Sequence, residues 1–317
     1  MSNFKTLKGL YIKHVSSDPS NLIEGQIWYN TTSQTLKVAP QIAAWAAGGN
    51  LTTARYMLAG CGTQTAGLVF GGDASPPHED KTEEYDGSSW TESGDLANAR
   101  TALGGCGTQT AGLGFGGYAP PGNTNSTEEY GGASWTSGGN LTTARFRLMG
   151  AGTQTAGLAI GGNDGSNRGY TEEYNGSSWT ESGDLNTVRQ TSATAGTQTA
   201  ALCAGGDGSV LAVSEEYDGS TWTEGPDLNT ARKGLIGSGT QTAALAFGGY
   251  STTYSADAET YDGTSWTEGP NLATARANLA GAGTSLVAFA AGGHTGSVSN
   301  ATEEWTDAVT ARSVDTT

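Results

Sequence analysis

Six arginines and six glutamates recur along the chain at nearly constant spacing, and they raise the first chemical question. The arginines are Arg55, Arg100, Arg145, Arg189, Arg232 and Arg276; the glutamates are Glu83, Glu128, Glu172, Glu215, Glu259 and Glu303. Clustered arginines with a tyrosine nucleophile and an acid would suit sialidase-type hydrolysis. Here each type occurs once per repeat, which signals structure, and no nucleophile–base constellation departs from the repeat. A buried carboxylate is costly unless paired, so each Glu is expected to meet an Arg within or between neighbouring units. Copper chemistry needs imidazole ligands, and the three histidines, His14, His78 and His294, sit on unrelated segments. The oxygen-rich stretch 163–167 lacks the spaced acidic ligands and final Glu of an EF-hand. No metal, cofactor or catalytic residue is therefore expected, and the chain reads as a binding or structural protein.

The elements that must position these residues follow from an internal repeat. GTQTA recurs at Gly62, Gly107, Gly152, Gly196 and Gly239, with a degenerate GTSLV at Gly283. A double glycine follows each copy, then an acidic-aromatic triplet ending at Tyr85, Tyr130, Tyr174, Tyr217, Tyr261 and Trp305. Trp45, Trp90, Trp135, Trp179, Trp222 and Trp266 head the copies, and an Arg follows each ten residues on. Each unit divides into four short strands; in the second these are 101–106, 111–115, 126–130 and 135–137. Asp-Gly and Asn-Gly pairs such as Asp86-Gly87 supply the positive φ of a tight hairpin between strands three and four. Four strands in about 44 residues is the arithmetic of a propeller blade.

Double glycine, then Tyr, Trp and Arg, in six copies, resembles the kelch repeat. The resemblance covers residues 41–317 and implies an all-β, six-bladed kelch-like β-propeller with four-stranded antiparallel blades. It also implies that the first strand of each unit lies nearest the axis, which suits the small residues of ALGGCG, RLMGAG and NLAGAG. The last copy lacks the hairpin turn and Trp. Residues 42–48, around Trp45, are expected to close the last blade; the alternative is that residues 305–309 form its fourth strand, with 310–312 mimicking the usual connector. Kelch-like copper oxidases and sialidase propellers make a glycan-active enzyme an alternative, disfavoured by the residue patterns above. A cellular kelch adaptor would bring a helical oligomerisation domain, and no such segment is evident.

Composition narrows the partners. The net charge of −16 repels phosphate backbones, so neither nucleic acid nor anionic lipid is an expected partner. No apolar run of roughly 18 residues is present, so no membrane insertion is expected. Of the three cysteines, Cys61, Cys106 and Cys203, the first two occupy the same position in successive copies and read as small core residues, and the odd count without a secretory-type N-terminus fits folding in a reducing compartment.

In a four-stranded meander the 2–3 loops and 4–1 connectors share one end of the sheets, and the GTQT and Asp-Gly turns share the other. The latter are nearly identical in all copies, whereas the 2–3 loops differ in length and chemistry. Variation confined to one loop family is what a binding face on a rigid scaffold shows. The candidate contacts there are His78, Tyr118, Asn123, Arg168, Tyr170, Tyr250, Tyr254 and His294. Tyr and Asn offer rigid area with hydrogen bonds, fitting a glycan or a protein surface.

Residues 1–40 stand outside the repeat. Residues 26–30 and 35–38 flank TTSQ and read as a hairpin. Pro19, Asn21, Gly25, Ile27, Trp28, Tyr29, Asn30, Thr31 and Thr32 resemble a short module of structural proteins of tailed bacteriophages. That resemblance implies a virion component, a tail fibre or other appendage, made in the host cytoplasm. Residues 1–40 would be its anchor to other virion proteins, with Trp28 and Tyr29 as contacts, and several copies could assemble in the particle. The expected role is host-surface attachment; the alternative is a purely structural decoration or adaptor.

Overall fold

A computed structural model of the protein describes residues 12–309 and 312–313. Residues 1–11 of the proposed anchor, and residues 310 and 311 of the alternative connector, lie outside the described residues. Every regular element among the described residues is a β-strand. The chain divides into two compact units, residues 1–43 with 306–317 and residues 44–305.

The first unit holds a small mixed sheet. β1 (Lys13–Val15) runs parallel to β2 (Ile27–Asn30), β2 pairs antiparallel with β3 (Thr35–Val38), and a two-residue strand, Arg312–Ser313, pairs with β3. Asn30 Oδ1 closes the β2–β3 turn by accepting from the amides of Thr32 and Ser33, both at 3.0 Å. β4 (Gln41–Ala47) follows.

The second unit consists of four-stranded sheets, propeller-like in organisation, in which consecutive strands pair. The first contains β5 (Ala59–Thr63), β6 (Ala66–Phe70), β7 (Thr82–Tyr85) and β8 (Trp90–Glu92). The second has β9 (Gly104–Thr108) and β10 (Ala111–Phe115), a small extra hairpin of β11 (Tyr118–Ala119) and β12 (Gly122–Asn123), then β13 (Thr127–Tyr130) and β14 (Trp135–Ser137). The third comprises β15 (Met149–Thr153), β16 (Ala156–Ile160), β17 (Thr171–Tyr174) and β18 (Trp179–Glu181). The fourth comprises β19 (Ala193–Thr197), β20 (Ala200–Gly206), β21 (Leu211–Tyr217) and β22 (Trp222–Gly225). The fifth comprises β23 (Ile236–Thr240), β24 (Ala243–Phe247), β25 (Ala258–Tyr261) and β26 (Trp266–Gly269). In the sixth, β27 (Ala280–Gly283), β28 (Val287–Ala291) and β29 (Thr302–Val309) are followed in space by β4. Residues 305–309 are thus part of the third strand of this sheet, not a separate fourth one.

The first strand of the second sheet begins at Gly104, not at residue 101. Ala102 has φ 55°, a left-handed conformation that breaks the extended run. Small residues then let first strands of adjacent sheets approach: a Cβ on Gly150 would lie 2.4 Å from the Gly105 carbonyl oxygen. Cys61 and Cys106 fill these strands as buried free thiols, and Cys203 is likewise buried and free. Burial pushes the Cys106 thiol up to about 12.

Three side-chain bonds recur between neighbouring sheets. Gln109 Nε2 donates to the carbonyls of Gly67 and Tyr85 at 3.2 and 2.8 Å, and Gln64, Gln154, Gln198 and Gln241 do the same on their own neighbours. The phenols of Tyr85, Tyr130, Tyr174, Tyr217 and Tyr261 donate to Glu304, Glu84, Glu129, Glu173 and Glu216. The indoles of Trp90, Trp135, Trp179 and Trp222 donate to the hydroxyls of Thr302, Thr82, Thr127 and Thr171. Between the fifth and sixth sheets all three lapse together. Ser285 stands where Gln recurs, Trp305 and Thr260 where Tyr and Glu recur, and Ala258 where Thr recurs. Trp45 Nε1 is accordingly buried without a partner among the described residues.

Candidate binding face

The recurring arginines build this face from below. Each is buried, and each sits within ion-pair distance of the glutamate of its own unit: Arg55–Glu83 at 2.6 Å, Arg100–Glu128 at 2.9 Å, Arg189–Glu215 at 2.5 Å, Arg232–Glu259 at 2.7 Å and Arg276–Glu303 at 3.1 Å, with Arg145–Glu172 also paired. The same guanidinium reaches the main chain at both ends of the 2–3 loop. Arg55 Nη1 donates to the carbonyl of Gly71, where the loop leaves β6, and to that of Lys81, where it enters β7, at 2.8 and 2.7 Å. Arg232 repeats this with Gly248 and Asp257, and Arg276 with Gly292 and Ala301. Glu83 in turn accepts from the Thr52 amide at 2.7 Å, tying down the incoming connector. A buried ion pair tied to the main chain specifies one geometry, and here that geometry is the spacing of the loop's two stems.

On those stems the 2–3 loops and the 4–1 connectors meet in β-bridges: Tyr56 with Asp73, Thr101 with Tyr118, Phe146 with Asn163, Gln190 with Asp207, Lys233 with Tyr250 and Ala277 with His294. The loops also touch one another in sequence. His78 packs edge-on against Tyr118 at 5.7 Å. Asn123 Nδ2 donates to the Asn163 carbonyl at 3.4 Å, and Asn167 Nδ2 to that of Asp207 at 2.6 Å. Tyr250 packs on Tyr254 at 5.5 Å, and the Tyr254 hydroxyl lies 2.6 Å from His294 Nδ1. His294 packs against Tyr56, which lies 3.5 Å from Asp73 on the first loop. Burial, then the Asp73 carboxylate, pushes the Tyr56 phenol up.

His78, Tyr118, Asn123, Tyr250, Tyr254 and His294 therefore join one belt. Arg168 and Tyr170 form a local cluster of their own: Arg168 pairs with Asp164 at 2.7 Å and stands over the Tyr170 ring at 5.4 Å. Among the described residues no three His, Cys, Asp or Glu side chains come together as a metal site. In the first unit, Trp28 is wholly buried, its indole donating to Asp18 at 3.0 Å, so it is a core residue of that sheet and not an open contact. Tyr29 is half-buried against His14, whereas Ile12, Ile23 and Ile27 are exposed.

A second ring of residues lies inside the belt. Met57, Ala102, Arg147, Thr191, Gly234 and Asn278 follow the buried arginine by two positions and all have φ between 52° and 64°. Their main chains bond in succession: Ala102 N to Met57 O, Arg147 N to Ala102 O, Thr191 N to Arg147 O, Gly234 N to Thr191 O, Asn278 N to Gly234 O and Met57 N to Asn278 O, at 2.6–3.1 Å. Sequence reasoning passed over these residues because they sit in connectors that otherwise look constant. The available signal was the pair after each Arg, which reads YM, TA, FR, QT, KG and AN between conserved-looking neighbours.

No protein-family model and no curated protein matches the chain.

Proposed function

We propose that the second unit is a closed six-bladed kelch-like propeller whose loop face is a docking surface, carried on a phage virion by the first unit. The observation that carries the reading is the loop belt: chemically diverse side chains, rich in Tyr, His and Asn, held on stems that are nearly identical from unit to unit. The main-chain bonds that run from residue 57 through each connector and back support the ring. So does the seam between the sixth and first sheets, where Trp90 donates to Thr302 and Tyr85 to Glu304. The phage assignment rests on the likeness of residues 19–32 to tailed-phage structural proteins. The occupant we favour is a bacterial surface glycan or outer-surface protein, met without catalysis.

The test is binding of the purified full chain, at micromolar concentration, to a panel of bacterial cells and their surface polysaccharides. Saturable binding, competed by soluble polysaccharide and weakened by Tyr118→Ala or His294→Ala, supports the reading. No binding to any member of the panel would replace it with a purely structural role.

A further inference from the structure

We infer that the centre of the loop face holds a site for a carboxylate-bearing sugar, a hexuronate unit of a glycan, with Arg147 as its anion anchor. This rests on the docking-face reading and names its ligand class.

A cavity of about 170 Å³ opens here, walled by Met57, Thr191, Gly234 and Asn278 of the inner ring, by Arg147 of the same ring, and by Asp207, Lys233, Tyr250, Tyr254 and Ala277. One water needs about 10–15 Å³, so the space suits something on the order of ten times larger. The chain carries a net charge of −16, yet this cavity sets two cations against one carboxylate. Lys233 is already engaged, 3.4 Å from Asp207. Arg147 is not. The other arginines of residues 44–305 all have a carboxylate partner: the six buried ones, and Arg168. Among the described residues Arg147 has no ion-pair partner and its Nε no hydrogen-bond partner, and its guanidinium carbon lies 5.3 Å from the Phe146 ring centre.

A guanidinium steadied on an aromatic face, with no carboxylate partner among the described residues, is complementary to an external anion. Its planar fork matches a carboxylate through two parallel bonds. The rest of the wall is suited to a sugar. Tyr250 and Tyr254 offer ring faces for C–H surfaces, and Thr191 and Asn278 offer groups that both donate and accept.

The test is calorimetric titration of the full chain with sodium glucuronate, glucose and inorganic phosphate, repeated on Arg147→Ala. Alanine is tolerated at this backbone position, since Ala102 holds φ 55° in the equivalent place beside φ 54° at Arg147; a matching melting curve checks the variant. Glucuronate should bind, glucose should bind about tenfold more weakly or not at all, and Arg147→Ala should lose about tenfold or more of the glucuronate affinity. Equal glucuronate binding by the variant, or preference for phosphate, would overturn the inference. If glucuronate fails while polysaccharide binding persists, the anion site is wrong and the docking face stands; if both fail, both fall.

Discussion

Ala258→Thr should make the protein more stable, because it supplies an acceptor that the buried Nε1 of Trp45 lacks among the described residues. Trp45 lies 4.9 Å from Phe247 at an interplanar angle of 60°, the same geometry as Trp179 on Phe115. Phe115 pairs across the sheet with Thr127, whose hydroxyl accepts from Trp179 Nε1 at 2.9 Å. Phe247 pairs with Ala258 instead, and Trp45 Nε1 is left buried and unsatisfied. An orphaned buried donor costs about 1–3 kcal/mol, while the new hydroxyl must itself be desolvated, so a net gain of about 1 kcal/mol is expected. In a domain this large that raises the Tm by roughly 2 °C. Thermal and denaturant melts of a double-mutant cycle isolate the bond: Ala258→Thr, Trp45→Phe and both together. Phenylalanine has no N–H, so the gain should vanish in the Trp45→Phe background. A gain that survives there, or an Ala258→Thr protein less stable than the parent, would refute the reasoning.

Removing one partner of a buried ion pair strands the other, so Glu172→Gln should cost about 3–5 kcal/mol in denaturant unfolding and loosen the 161–171 loop in hydrogen exchange. The phenols of Tyr85, Tyr130, Tyr174 and Tyr217 are pushed up to about 12, first by burial and then by the carboxylates they donate to. Their protonated forms are favoured in the folded state, so this contribution is complete below the ordinary value of 10 and is lost as pH rises toward 12. Unfolding midpoints should therefore fall across that window, and Tyr174→Phe should flatten the fall.

Much of the architecture was written locally. Period-two strands, Asp-Gly and Asn-Gly turns and double glycines act over a few residues, and the copies multiplied those signals. The register Tyr130 to Trp135 across a GGAS turn follows from that short code. The pairing of Arg55 with Glu83 was legible too, because a strand covered on both faces cannot keep a lone carboxylate. The start of β9 was not, because nothing in the sequence around Ala102 marks a left-handed residue; the bond from its amide to Met57 imposes it.

The sequence by itself determined the number of copies, the strand types, the ion pairs and the family of loops free to vary. Tertiary structure decided that β4 joins the last sheet, that Trp28 is core, that Arg168 and Tyr170 stand as their own cluster, and that Arg147 lines a cavity with no carboxylate paired to it among the described residues. For two of these the reason is distance along the chain. The pairing of β4 and the cavity around Arg147 depend on contacts between residues tens to hundreds of positions apart, and residue type and local spacing carry no record of which segments folding will bring together; the contacts of Trp28 and Arg168 are short-range, and there the path of the main chain selects the partner.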